Sequence, residues 1–106
     1  MSNFTEEELA YYKACLQDIR DENFHQNEIE AMIRIYRWTK SDRNAYFFPQ
    51  RVTRQVHNYK KHIKKLRTRA LIQAVRSQSL SGVHRITQAG QWVGYIMLLL
   101  RDLEML

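Results

Sequence analysis

Leu9, Tyr12, Leu16 and Ile19 recur at intervals of three, four and three, the spacing that lines one face of an α-helix. Thr5 and Glu8 precede them as a capping box, in which hydroxyl and carboxylate each accept a backbone N–H, and Phe4 with Leu9 can close a hydrophobic staple. A helix over 5–22 is predicted. A second, over 24–40 and capped by Asn23 or Asn27, turns Ile29, Met32, Ile33 and Tyr36 inward, with Ile35 and Trp38 widening the stripe. It fades into the polar string from Thr39 to Asn44, which suits a loop.

Pro49 fits the first position of a third helix, where its missing amide costs nothing. Val52, Val56, Tyr59, Ile63, Leu66 and Ala70 follow at alternating fours and threes, and the predicted helix runs over 49–78. Past Ala70, Leu71, Ile72 and Val75 fall on the formerly polar side, so the helix is either covered all round there or interrupted. A last helix over 83–105 carries two apolar stripes, one through Gly90, Val93, Met97 and Leu100, the other through Trp92, Ile96, Leu99 and Leu103. So much apolar girth predicts a central place or a subunit interface. The expected fold is all-α. It is a compact bundle of about four helices in a single domain over 1–106, with the third helix long and basic and the last strongly apolar.

Composition narrows the class. Three glycines and one proline among 106 residues are too few turn formers for a β-sandwich or barrel. No two glycines stand where a phosphate-binding loop needs them. A single cysteine, Cys15, excludes an intramolecular disulfide framework and points to a reducing compartment. The first residues are acidic where a secretory signal would be basic and then apolar. The densest apolar run, from Trp92 to Leu100, is too short to cross a bilayer. An intracellular protein is expected, cytoplasmic or in the nucleoid or nucleus.

The net charge of +6 is distributed in blocks. Residues 1–33 hold eight acids and two bases, residues 34–76 hold thirteen bases and the single acid Asp42, and no carboxylate lies between Arg43 and Arg101. On the third helix, Arg54, His57, Lys61, Lys64 and Lys65 lie opposite the apolar row, flanked by Arg51, Lys60, Arg67 and Arg69. Cations in such a row can replace the counterions of a phosphate backbone. A purely solvated face would mix both signs. A small nucleic-acid-binding protein is therefore expected, with DNA weakly favoured. The alternative is a non-enzymatic adaptor or inhibitor, of phage or plasmid type, that docks on a larger nucleic-acid machine; an acidic protein surface would answer the same charges.

Other constellations carry less. Tyr46, Phe47, Phe48, Tyr59 and Trp38 stand among the bases, where aromatics either stack on bases or close a core. A helix–turn–helix can be laid on 70–88, with Arg85, Thr87 and Gln88 towards bases, but the residue at the tight turn is Gln78, not glycine. Gly90 and Gly94 form a small-xxx-small pair; with Val93 and Met97 they mark either close packing within the chain or a homo-oligomer interface. His57 and His62, five apart, share no helix face, and His25 and His84 are isolated, so no metal, cofactor or catalytic role is expected.

Overall fold

The computed structural model describes residues 4–41, 45–76, 79 and 82–106. Helices α1 (Glu6–Asp21) and α2 (Gln26–Ser41) lead to a short strand β1 (Tyr46–Phe47). Helices α3 (Pro49–Thr53) and α4 (Tyr59–Thr68) follow, then strands β2 (Ile72–Ala74) and β3 (His84–Ile86), and helix α5 (Gln88–Asp102). The protein is mostly helical, as expected, but a three-stranded antiparallel sheet in the order β1-β3-β2 replaces part of the predicted bundle.

The first helix starts as its sequence dictates. Thr5 Oγ1 accepts the Glu8 N–H at 3.1 Å, and the Glu8 carboxylate accepts the Thr5 N–H at 3.4 Å. The cap of α2 differs from expectation. Asn23 is the left-handed residue that ends α1, at φ 58°, and His25 caps α2 instead. Its ring Nδ1 accepts the Asn27 N–H at 3.0 Å while Glu28 accepts the His25 N–H at 3.3 Å, a capping box with imidazole in the place of a hydroxyl.

The long basic helix over 49–78 is the main correction. Residues 54–58 interrupt it, with tight i to i−3 hydrogen bonds from Val56 to Thr53 and from Tyr59 to Val56, and with Asn58 in the left-handed region at φ 56°. Asparagine tolerates that conformation better than most residues. These turns still bring Val52, Val56, Ile63 and Leu66 to the core. The four-three spacing therefore records burial, not helix continuity. At its other end α4 stops in a Schellman turn, in which the Ala70 N–H reaches the Arg67 carbonyl and the Leu71 N–H the Leu66 carbonyl, with Ala70 at φ 60°.

Two strands then replace helix. Burial alternates along His84, Arg85 and Ile86, and Ile72 pairs with Ile86 and Ala74 with His84. The helix–turn–helix laid on 70–88 is thus not formed, since both its arms contain strand; residues 77, 78, 80 and 81 of its turn lie outside the described residues, as do 42–44 of the polar string. α5 begins only at Gln88, where Thr87 Oγ1 accepts the Gly90 N–H at 3.0 Å and donates to the Ala70 carbonyl at 2.7 Å.

The centre of the fold is α2, not the last helix. Ala31, Met32, Ile33 and Ile35 are wholly buried, and α2 packs against α3, α4 and α5. α5 buries one stripe, Gly90, Gly94, Ile96, Met97 and Leu100. Among the described residues no helix is long and apolar enough to cross a membrane.

Candidate nucleic-acid interface

A short helix, α3, and the basic helix α4 are joined by the turn at 54–58, N-terminal to the segment 70–88. Within α4, His62, Ile63 and Leu66 face the core, so the remaining arc is solvent-facing. Lys60, Lys61, Lys64, Lys65 and Thr68 occupy it, all exposed. Arg54 and His57 stand exposed on the turn and, with Gln55, Asn58, Lys60 and Lys61, line an open cleft at the start of α4.

The acidic N-terminal segment does not neutralise these lysines. Its carboxylates in ion pairs go elsewhere: Glu22 and Glu28 to Arg69, and Glu30 to Arg34 and Arg101. Among the described residues, Arg54, Lys60, Lys61, Lys64 and Lys65 are in no ion pair. Their mutual repulsion is left to solvent, or to a ligand of opposite sign.

Three of the residues expected on this face make contacts within the protein. Arg69 turns inward, its Nε 2.6 Å from the buried Glu28 carboxylate and its guanidinium stacked 3.9 Å from the centre of the Phe24 ring. Arg67 is half-buried and engaged within the protein, and its charge bears on His84. Arg51 lies over the Phe48 ring at 5.3 Å and shares a cleft between α2 and α3 with Arg37 and Trp38. Arg54, His57 and the four lysines remain together as exposed side chains.

The sheet adds residues that helical periodicity hides. Tyr46 and Gln73 both pair with Arg85 across the strands, and all three are exposed. Arg85 Nη2 donates to Gln73 Oε1 at 3.0 Å. The row offers one cation and one aromatic ring on one face, and exposed Arg76 lies two residues beyond β2. Only three residues separate α4 from β2, and the two pack together. Alternating burial at 84–86 was the available signal, too short to outweigh the helical reading. Of the other aromatics, Phe47 is in the core while Trp38 and Phe48 are exposed.

Of the expected oligomer residues, Gly90, Gly94 and Met97 turn inward. A Cβ on Gly90 would lie 2.0 Å from the Leu71 carbonyl oxygen, and one on Gly94 would lie 2.6 Å from the Tyr36 Cβ. Both glycines let α5 approach its own chain. Met97 is wholly buried, and Val93 is partly buried against the core.

Two histidines have lowered pKa values. Burial is the main cause at His62, assisted by the His25 ring stacked 4.9 Å away. Burial also dominates at His84, where the Arg67 charge acts in the same direction and the Gly82 carbonyl, 3.0 Å from Nδ1, opposes it. Among the described residues no group of three or more His, Cys, Asp or Glu side chains could hold a metal ion. Compared with protein-family models, curated proteins and solved structures, the chain gives no significant match.

Proposed function

We propose that this protein binds nucleic acid, with duplex DNA as the preferred form, through the exposed face of α4. The observation that carries the reading is the set of exposed lysines at 60, 61, 64 and 65 on α4, in no ion pair among the described residues, on a helix that follows a short helix and a turn. In helix–turn–helix proteins the second helix enters the major groove and leads with its N-terminal residues, and α4 would do the same here. A helix is about 10–12 Å across with its side chains, which fits a major groove about 12 Å wide. Arg54 and His57 on the preceding turn would meet the phosphates beside the groove. Arg85 and Arg76 on the hairpin would extend the contact along the backbone. Lysines act here as point charges, which favours phosphate contact over base reading.

Titration against duplex DNA, single-stranded DNA and RNA at two salt concentrations tests the reading. Duplex binding that weakens steeply with salt is expected. Equal or tighter binding to RNA would move the target from DNA to RNA. No binding to any of the three at low salt would overturn the reading in favour of an adaptor that docks on a protein.

A further inference from the structure

Beside its buried stripe, α5 carries large aromatic rings that its own chain does not cover. Trp92 is 52 % exposed and Tyr95 42 %, and Tyr11 of α1, 47 % exposed, completes the patch. The rings are continuous. Tyr11 and Trp92 have centroids 6.5 Å apart, Trp92 and Tyr95 6.1 Å, and Tyr95 and the buried Tyr36 of α2 6.4 Å. Large exposed aromatics in one patch, on two helices, are what the buried centre of an interface is made of.

We infer that this patch is the contact surface of a two-fold homodimer. Two features select a second copy as occupant. First, the projecting Trp92 stands at the edge of a small apolar recess of about 100 Å³, lined by Cys15, Ile19, Val93 and Ile96. A knob beside a hole within one patch is self-complementary, because a two-fold axis sets each copy's knob against the other's hole. Second, the borders of the patch carry opposite charges. On the α1 side Asp18 lines the recess beside Trp92, and Glu8 lies close enough to Tyr12 to act on its hydroxyl. On the α2 side the Lys40 ammonium lies 5.7 Å from the centre of the Tyr36 ring. A two-fold axis running along the patch brings the acidic border of each copy to the basic border of the other. The same acids repel phosphates, so the rings are not a stacking surface for nucleic acid. The dimer is independent of the nucleic-acid reading and leaves the α4 lysines free.

Sedimentation of the full chain over about 1–200 μM, the range of weak to moderate dimers, tests it. The expected particle at the upper end has twice the 12.8 kDa chain mass. Trp92→Glu should raise the dissociation constant at least about tenfold, with an unchanged far-ultraviolet circular dichroism spectrum. Asp18→Lys and Lys40→Glu should each weaken association, and the two together should restore it. A monomer at every concentration overturns the inference. So does a dimer indifferent to Trp92→Glu, or a charge exchange that fails to restore association when both single variants have weakened it.

Discussion

The guanidinium of Arg69 donates from Nε to the Glu28 carboxylate at 2.6 Å, across 41 positions of sequence. Glu28 is 1 % exposed and Arg69 17 %. The second carboxylate oxygen accepts the His25 N–H, and a further arginine nitrogen lies 3.4 Å from Glu22. The cap of α2 and the end of α4 are thereby joined through one buried acid. Removing one member of a buried pair strands the other charge, at a cost of about 3–5 kcal/mol. Arg69→Ala should lose that much in urea unfolding. Its DNA affinity, measured where the variant is still folded, should stay near the parent value. A large loss of affinity in the folded variant would return Arg69 to the phosphate-binding face.

The two glycines of α5 make a second stability prediction. Gly94→Ala places a methyl group 2.6 Å from the Tyr36 Cβ, and Gly90→Ala places one 2.0 Å from a backbone oxygen. Overpacking typically costs about 1–3 kcal/mol. Gly90→Ala should cost more than Gly94→Ala, because a carbonyl in the α4–β2 junction yields less easily than a side chain. Denaturant midpoints of the two variants check the order. Equal midpoints to the parent would show that α5 has room to shift.

How much of this was legible in the sequence divides by the range of the signal. The α1 cap, the α1 stripe and the inward face of α2 are local patterns of three and four residues, and they hold. The interruption at 54–58 was not legible, because successive tight turns keep Val52, Val56 and Tyr59 at the spacing a helix would use. Strands of two and three residues are shorter than any reliable alternation. The basic face of the site could be read from the absence of acids alone. That Arg69 leaves it depends on Glu28, remote in sequence and brought near only by the packing of α2 on α4.

Ala70 holds a left-handed conformation at φ 60°, which costs an L-residue about 1–2 kcal/mol and glycine nothing. Against this, glycine loses more backbone freedom on folding. Ala70→Gly should stabilise the protein by up to about 1 kcal/mol net, read as a rise in the urea midpoint with an unchanged slope. A fall would mean that the Ala70 methyl group makes packing contacts worth more than the strain.

Stability should fall in mild acid. The His62 and His84 pKa values are lowered by burial from 6.5, so the unfolded chain binds protons first as the pH drops. The stabilisation is complete well above 6.5 and is lost as the pH falls through 6.5 towards the depressed folded values. His84 should dominate. It is wholly buried, and with Nδ1 donating to the Gly82 carbonyl its Nε2 has no partner among the described residues. A proton there would add an unpaired charge to the core near Arg67. Urea midpoints at about pH 8 and pH 5.5 measure the slope, and His84→Leu should flatten it. An unchanged slope in the variant would assign the acid sensitivity to His62 and its His25 neighbour.

The basic face itself is tested by changing Lys61 and Lys65 together to Glu. Both are exposed and in no ion pair among the described residues, one turn apart on α4, with the buried row of Ile63 and Leu66 untouched. Exposed charges contribute less than about 1 kcal/mol each, so the unfolding midpoint should hardly move. Relief of repulsion among four neighbouring lysines could even raise it. Affinity for duplex DNA should fall steeply. The slope of log K against log salt should flatten by about 0.9 for each phosphate that the protein no longer neutralises. Neutral Lys61→Gln with Lys65→Gln should give the same flattening with a smaller drop in affinity, since it removes attraction without adding repulsion. The effect should be alike on unrelated duplexes if the lysines meet phosphates, and confined to one sequence if they read bases. A double reversal that leaves binding and its salt slope unchanged would remove α4 from the interface altogether.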